Sequence, residues 1–527
     1  MKTESTDPFA CIQTPRFATA CLFLASACLP GVVSGDDSPQ GSDQAANAVF
    51  EAGPAMPTAR TGHQVAMLPD GRVGLFGGHG QGFVSLNSAD FWTQGDAGFS
   101  SLTMNQTRDM PIFSRLADGR YLLAGGSSNL GVPAYAHSEI YDPGSNTFTP
   151  SSNMVRFRTS SGAATLADGR VLIAGGWWTH NDAHTYGELF DPETGSYSAV
   201  GPFEVGRSHA IVLPMDDGSG VVIGGRQPRG GFEDMPVERY NPATGEISVL
   251  QQLLFAEEPG WGVSLSNRHA AAQQMADGRY LWMATRAEDG LTHYRLFTFD
   301  PADGSIEALP LAEPLPDSSA GSLLQVLVDA NQDRAYIPVL VAQSSGFSAL
   351  EIITINTSTG VMVRSANSHP LGYSLMGAGM QVLPDGRIFV SGGSADGSNF
   401  NPAADTLLIT PPEVDTTPWY SDAFDLGSGW LHFEWFKSFK PVGEHWIFHA
   451  EHGWQYVLGD DANSLFAWDE GLGRWLWISE SEYPWMYAFG PDATWIWYFE
   501  DGVPGARVFS RGDNNEIVTE DQLRLVD

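Results

Sequence analysis

The sequence predicts an all-β chain, with a seven-bladed β-propeller followed by a small domain of aromatic β-hairpins. A turn followed by an apolar strand ending in small residues recurs seven times, and these turns begin at positions 70, 118, 168, 217, 277, 333 and 385. A period of about 50 residues built from short strands is typical of four-stranded blades around an axis. After residue 418 a tryptophan-rich repeat of about 20 residues replaces it.

Five copies of the first repeat keep a glycine pair at the end of the strand. These pairs are Gly77-Gly78, Gly125-Gly126, Gly175-Gly176, Gly224-Gly225 and Gly392-Gly393. Ala284-Thr285 replaces the pair in one copy, and the copy that begins at Asp333 has no equivalent. Paired glycines are expected where strands crowd the central channel, because a side chain would clash there. The degraded sixth copy leaves six blades as the alternative count.

The complete copies also share the way in which a later strand ends. An aromatic residue, Asp or Asn, and Pro close that strand at residues 141–143, 190–192, 240–242 and 299–301. Asx and the glycine that follows tolerate the backbone angles of a tight hairpin turn. Together with the glycine pairs, these ends resemble the kelch repeat in its secreted bacterial form, over residues 46–412. The resemblance implies that one terminus completes the last blade, so we expect residues 48–56 to pair with the strand at 405–410.

The N-terminal stretch resembles a secretory signal peptide. Arg16 precedes an apolar run, Ala18 to Leu29, that is too short for a stable membrane anchor. We therefore expect residues 1–35 to be a signal peptide and the chain to be exported, to the cell surface, the periplasm or the medium. We expect no integral membrane span.

The three cysteines, Cys11, Cys21 and Cys28, all lie in this stretch. A lipid anchor at Cys28 is the less favoured alternative, because Ala25 occupies the position where leucine is expected. After cleavage the chain would carry no cysteine, and hence no disulfide, thiolate metal site or thiol nucleophile.

The chain carries 62 acidic and 27 basic residues, a net charge of −35. This charge argues against a nucleic-acid partner and favours a soluble, self-repelling surface. The boundaries we expect are a propeller at 46–412, a linker at 413–418, a hairpin module at 419–511 and a polar acidic tail at 512–527.

Eleven of the sixteen tryptophans lie between Trp419 and Trp497. Most belong to aromatic pairs at i and i+2, which place both rings on one face of a strand. The pairs begin at residues 433, 446, 454, 466, 475, 485 and 495. The module is similar to the tryptophan-rich C-terminal modules of secreted bacterial proteins and, more loosely, to 20-residue hairpin repeats that bind choline or glucans. We expect the rings to form the core, with a ligand platform as the alternative.

Two histidines in this module, His449 and His452, suggest a metal site at first sight. Their flanks are strand-like, so a spacing of three places the side chains on opposite faces, and we expect no zinc site. The acidic run at Asp329, Asn331 and Asp333 imitates the start of a calcium loop, but it lacks the glycine and the distal glutamate and matches a repeat turn. We expect no metal and no cofactor.

In a kelch propeller, the loops after the glycine pairs and those leading into the inner strands share one face. Here these loops are rich in Arg, His and Trp, which predicts a locally positive mouth suited to an anionic sugar. The ligand-binding candidates are Trp177, Trp178, His180, Arg226, Arg229, His63, His209 and His269. The alternative for the arginines is structural, as bridges between neighbouring blades.

Three enzyme classes use similar propellers. Galactose-oxidase-like enzymes need a copper site whose tyrosine is cross-linked to cysteine, and a cleaved chain would have no cysteine. A polysaccharide lyase needs a base and an arginine to neutralise the sugar acid; the candidates are Tyr135, His137, His180, His209, Arg158 and Arg207. A sialic-acid-type epimerase needs an Arg- and Glu-lined channel, which Glu188 or Glu238 could serve.

The sequence favours a non-catalytic, exported binding protein that recognises a glycan or a surface protein, with the aromatic module for attachment. A carbohydrate-active enzyme on the same face and a purely structural surface protein remain the alternatives. The ligand and the oligomeric state stay open.

Overall fold

The computed structural model describes residues 47–524, apart from 129–133, 180–181, 228–234, 252–260, 264–271, 320–321, 343–347, 376, 396–400, 415–419, 443–445, 462, 491–492, 500–506 and 513–514. The expected signal peptide, and with it the three cysteines, lies outside these residues. Among the described residues, no helix is long and apolar enough to cross a membrane.

Seven antiparallel sheets form the propeller, which confirms seven blades rather than six. The first strand of the chain is β1 (Val49–Ala52). Blades one and two comprise β2 (Gln64–Met67), β3 (Arg72–Phe76), β4 (Ser88–Thr93), β5 (Ser100–Thr103), β6 (Ile112–Arg115), β7 (Tyr121–Ala124), β8 (Ser138–Asp142) and β9 (Thr147–Ser151). A 3-10 turn, Gln81–Phe83, lies between β3 and β4.

Blades three and four keep the same four-stranded order, and blade three adds a small hairpin. Its strands are β10 (Gly162–Thr165), β11 (Val171–Ala174), the added β12 (Trp177–Thr179) and β13 (Asp182–Ala183), then β14 (Gly187–Asp191) and β15 (Ser196–Val200). Blade four comprises β16 (Ile211–Pro214), β17 (Gly220–Ile223), β18 (Val237–Tyr240) and β19 (Ile247–Gln251).

Blades five and six, which lack the glycine pair, are built around longer central hairpins. Blade five has β20 (Gly262–Val263), β21 (Gln273–Gln274), β22 (Tyr280–Glu288), β23 (Leu291–Phe299) and β24 (Ile306–Ala308). Blade six has β25 (Ser322–Leu323), β26 (Leu327–Asp329), β27 (Arg334–Ala342), β28 (Ser348–Asn356), β29 (Met362–Arg364) and β30 (His369–Pro370). Strand β22 continues through Ala284-Thr285, where the intact repeats turn at glycine, so the lost pair corresponds to a longer strand.

The seventh blade closes the ring with the first strand of the chain. It comprises β31 (Gly379–Val382), β32 (Ile388–Ser391) and β33 (Thr406–Thr410), and β1 pairs with β33 from Val49 opposite Thr410 to Ala52 opposite Leu407. Trp92 of blade one stacks on Phe389 of blade seven at 5.1 Å between ring centroids. The expected closure by residues 48–56 is therefore confirmed.

The C-terminal sheet is an eleven-stranded antiparallel meander. Its strands are β34 (Phe424–Gly427), β35 (Trp430–Phe433), β36 (Lys437–Pro441), β37 (Trp446–His449), β38 (Gly453–Asp461), β39 (Ser464–Asp469), β40 (Arg474–Ser479), β41 (Trp485–Ala488), β42 (Thr494–Tyr498), β43 (Val508–Arg511) and β44 (Ile517–Thr519). A short helix, α1 (Glu520–Leu523), follows, and its Leu523 is buried. The sheet thus runs past residue 511, where the sequence suggested a polar tail.

The expectation that the aromatic pairs form the core of this sheet is wrong for six of the seven pairs. Buried positions on the central strands hold mainly small and aliphatic side chains, such as Ile447, Val457 and Leu476. The alternating partners, such as Trp446 and Trp475, are only half-buried and point to the opposite face. Only the first pair, Phe433 and Trp435, packs against the buried cluster.

Candidate functional site

One end of the propeller is defined by a backbone bridge that recurs in five blades. In each of these blades, the residue that follows the glycine pair forms an antiparallel bridge with a residue that lies just before the first strand of the blade. The bridged pairs are Thr61 with His79, Asp109 with Ser127, Thr159 with Trp177, Ser208 with Arg226, and Ser374 with Ser394. We call this end of the propeller the loop face. Blades three and four carry Trp177 and Arg226 at the position where two other blades carry serine, so the chemistry of the face is concentrated there.

Each of the first four blades holds a buried arginine just below the loop face. Arg158 donates to the carbonyl oxygens of Gly175 and Tyr186, at 2.7 and 3.1 Å, and pairs with Glu188 at 2.8 Å. The same arrangement joins Arg60 with Asp90, Arg108 with Glu139, and Arg207 with Glu238. Burial lowers the pKa of Arg158, which the Glu188 carboxylate opposes.

These arginines also join neighbouring blades through their backbone. The carbonyl oxygen of Arg207 accepts a hydrogen bond from the amide of Gly176, in the preceding blade, at 2.8 Å. The side chain of Arg207 reaches Glu238 within its own blade. The structural interpretation therefore holds for this set.

The buried pairs correct two parts of the enzyme hypotheses. Arg158 and Arg207, candidates for neutralising a sugar acid, have side chains at most 2% exposed and already face carboxylates. Glu188 and Glu238, candidates for lining an epimerase channel, are their partners. The four buried arginines of blades one to four therefore add no net positive charge to the predicted positive mouth, because each is paired with a carboxylate.

Three of the predicted ligand residues, Trp177, His209 and Arg226, do meet on the loop face. The guanidinium carbon of Arg226 lies 5.7 Å from the ring centroid of Trp177, within cation–π distance. The Trp177 indole nitrogen lies 3.4 Å from Nδ1 of His209, and their rings meet edge to face. Arg226 is exposed. A planar ring beside a guanidinium suits a sugar that carries a carboxylate.

Trp178 extends this surface on the added hairpin of blade three. Its side chain is 50% exposed, and its ring lies 6.4 Å from that of His184. Burial lowers the pKa of His184 to about 4, and its Nε2 lies 2.9 Å from the carbonyl oxygen of Phe157, so this imidazole is neutral at pH 7. Arg156 lies over the ring of Tyr186 at 4.9 Å. Within the described residues, neither Arg156 nor Arg226 forms an ion pair.

The remaining candidates fall into three groups. His63 is buried and its Nε2 lies 2.9 Å from the Ser391 hydroxyl, which makes it part of the blade seven contact. Tyr135 and His137 lie beside each other, with ring centroids 5.8 Å apart and His137 exposed. His180, Arg229 and His269 lie outside the described residues.

The carboxylate partners were missed by the sequence analysis, although a signal for them exists. An acidic residue stands two positions before the aromatic residue near the end of the third strand, as in Glu139 before Tyr141 and Glu188 before Phe190. Alternation on a strand puts this acid on the same face as the aromatic ring. The acid and the arginine therefore recur together in each of the first four blades.

No three His, Cys, Asp or Glu side chains of the described residues stand close enough together to hold a metal ion. The run at Asp329 is a turn, as expected, in which the Asn331 amide donates to the Asp329 carboxylate at 3.0 Å.

His449 and His452 belong to a buried polar cluster in the C-terminal sheet. Nε2 of His449 bonds the carbonyl oxygen of Phe436, and its Nδ1 accepts from the His452 amide at 3.0 Å. His452 bonds Arg507 through Nδ1 at 2.9 Å and Tyr483 through Nε2 at 3.2 Å. All four ring nitrogens of the two histidines therefore have hydrogen-bond partners within the sheet.

These two histidines predict that the C-terminal sheet loses stability as the pH falls. Burial, aided by Arg507, lowers the pKa of His449 to about 4 and that of His452 well below its usual value of 6.5. Between the lowered pKa values of the folded chain and the usual value of 6.5, the unfolded chain binds more protons than the folded chain. The free energy of unfolding is therefore highest above pH 6.5 and declines towards pH 4. For His449 alone the loss is about 3 kcal/mol.

Urea unfolding followed by tryptophan fluorescence at several pH values between 7.5 and 5 measures this decline. His449→Asn removes one titrating group, so its stability should fall less steeply with acid than that of the wild type. His432→Asn, at a partly exposed histidine of the same sheet, is the control and should keep the wild-type slope. Equal slopes in the wild type and His449→Asn would contradict the prediction.

Comparison with known proteins shows similarity over part of the chain. No protein-family model matches this chain. Over 143 residues the chain is 27% identical to two proteins named galactose oxidase, both from Gibberella zeae. The matched part is 27% of this chain and 20% of each relative, so the match spans about a fifth of the length of these curated relatives. This weak homology agrees with the kelch-like propeller that the sheets form.

Proposed function

We propose that this protein is an exported, non-catalytic propeller that binds a glycan carrying carboxylates through its loop face, with the C-terminal sheet serving for attachment. The observation that supports it most directly is the cluster of Trp177, His209 and Arg226, with Trp178 exposed beside it. A flat ring stacks on the apolar side of a sugar, and a guanidinium pairs with its carboxylate.

The buried arginines favour binding over turnover. A lyase needs a guanidinium that is available to the sugar acid and a base nearby. Arg158 and Arg207 are withdrawn from solvent and already paired with carboxylates, so neither candidate guanidinium is available to a sugar acid. Catalysis on a carbohydrate is the alternative outcome of the experiment below.

The test uses the full chain with alginate and pectate, read for retention and for new unsaturated or reducing ends. We expect retention without products, and about a tenfold weaker affinity for Arg226→Ala, because a charge-assisted hydrogen bond contributes roughly 1.5–3 kcal/mol. Trp178→Ala should weaken binding in the same way. Arg115→Ala, at an exposed arginine at the far end of strand β6, is the matched control and should bind like the wild type.

Two results would contradict this proposal. Product formation from either polymer would identify an enzyme. Equal loss of affinity in Arg226→Ala and Arg115→Ala would indicate a general charge effect instead of a site on the loop face.

A further inference from the structure

The outward face of the C-terminal sheet is a continuous aromatic surface. We call it the aromatic face, and it comprises Trp446, Phe448, Trp454, Tyr456, Phe466, Trp468, Trp475, Trp477, Trp485, Tyr487, Trp495 and Trp497, on strands β37 to β42. Their exposure is graded: Phe466 is 47% and Trp495 37% exposed, whereas most others are half-buried against each other. A contiguous apolar surface of this extent indicates an interaction site.

The rings form rows that cross the strands. Cross-strand pairing places Trp446 opposite Tyr456, Tyr456 opposite Trp468, and Trp468 opposite Trp475. A second row runs through Phe466, Trp477, Tyr487 and Trp495. Neighbouring rings meet edge to face, as Tyr487 and Trp495 do with ring centroids 5.6 Å apart. Rings therefore recur at about the interstrand spacing of 4.8 Å, which suits an extended ligand built of repeated flat units.

Strands β37 and β39 to β42 present no charged side chain on this face, although the chain as a whole is strongly acidic. The outward positions of β37 and β39 to β42 hold aromatic residues and serines, while the charged residues of these strands, Asp469 and Arg474, are buried on the opposite face. On the strands of this face nothing offsets the repulsion that a net charge of −35 exerts on anionic polymers and anionic lipid surfaces, whereas the loop face carries the exposed Arg226. An uncharged ligand escapes that repulsion.

A cleft on this face adds a polar group to the rings. It has a volume of about 540 Å³ and is lined by Glu482, Trp485, Tyr487, Ala493, Thr494, Trp495 and Gly512. Glu482 is exposed at its rim, where its carboxylate can accept hydrogen bonds from hydroxyl groups. Rings for the apolar side of a sugar and a carboxylate for its hydroxyls are the usual composition of a saccharide site.

We infer that the aromatic face binds a neutral polysaccharide, with the cleft at Glu482 as its main subsite. This inference rests on the attachment role proposed above and specifies the chemical class of the attachment ligand. The loop face binds the acidic glycan, and the aromatic face binds an uncharged one. The recurrence of rings across six strands favours a polymer over a small cation held in one aromatic cage.

The experiment measures retention of the full chain on insoluble cellulose, chitin and β-1,3-glucan, in low salt and in 0.5 M NaCl. At the higher salt concentration the Debye length is only a few Å, so attraction between exposed charges is largely screened. We expect retention on at least one of them, unchanged by salt. Trp485→Ala with Trp495→Ala should weaken it about tenfold or more, as for central aromatic residues of binding sites. Glu482→Gln, at an exposed position that should not affect folding, should weaken it measurably.

Phe424→Ala is the matched control, because Phe424 is 69% exposed on the edge strand β34, away from the cleft, and this variant should bind like the wild type. No retention on the three polymers, or displacement by choline chloride, would overturn the inference. So would a dimer that dissociates on changing Trp485 and Trp495, since a second copy would then be the occupant. Alginate binding that depends on Arg226 would persist in each case, so failure of this inference is distinguishable from failure of the loop-face proposal.

Discussion

Replacing Gly175 with alanine is expected to destabilise the propeller by roughly 2–5 kcal/mol. Gly175 ends strand β11 with φ at +69°, in the left-handed region, and an added Cβ would overlap the carbonyl oxygen of Arg207 in the next blade. The left-handed backbone costs an alanine about 1–2 kcal/mol, and the overlap adds about the cost of overpacking a core. The contact cannot relax locally, because the Arg207 carbonyl is hydrogen-bonded to Gly176.

Gly169→Ala separates these two contributions. Gly169 also has a positive φ, +85°, but an added Cβ there meets nothing within 4 Å. We expect it to lose only the backbone part, about 1–2 kcal/mol. Urea unfolding of both variants measures the difference, and similar losses in the two would show that the close approach between blades contributes little.

Replacing Arg507 with methionine is expected to unfold or severely weaken the C-terminal sheet, by about 3–5 kcal/mol. Arg507 is fully buried and donates to Asp469 at 2.6 Å, to Glu520 at 2.9 Å and to His452 at 2.9 Å. Removing the guanidinium takes the positive charge of Arg507 away from two carboxylates in a water-poor interior.

Arg524→Met is the control, since Arg524 is exposed near the end of the same segment. Tryptophan fluorescence reports mainly on this sheet, which contains most of the tryptophans of the chain. We expect the urea midpoint of Arg507→Met to fall well below that of Arg524→Met. If the two midpoints agree, the buried ion cluster is not what holds β43 and α1 to the sheet.

The blade count and the ring closure could be predicted from sequence because local chemistry determines them. Glycine is required where Gly175 approaches the carbonyl oxygen of Arg207 in the next blade. A glycine pair therefore appears in the sequence of each blade that has this close contact. Blades five and six have no glycine pair at this position, and their longer strands give a weaker sequence pattern. The turns that begin with Asp were enough to locate them.

The orientation of the aromatic sheet could not be predicted in the same way. Alternation assigns Trp475 and Leu476 to opposite faces, but both faces are apolar, so the pattern does not say which one is covered. The buried polar cluster decides it: Gln455, Asp469 and Arg507 lie on the aliphatic side. Likewise, the loop-face arginines looked like ligand residues because their carboxylate partners stand about 30 positions further along the chain.

The pairing of β1 with β33 has a consequence for how the chain folds. Val49 can pair with Thr410 only after the chain has been synthesised to that residue, which is 361 positions later in the sequence. At a synthesis rate of about 5–20 residues per second, the first strand is made roughly 20–70 seconds before its partner. During that time the chain holds an incomplete ring with two unpaired edges, which is the state most exposed to pairing with other chains. We therefore expect closure of the seventh blade to be a slow step in folding, or one at which a chaperone protects the chain.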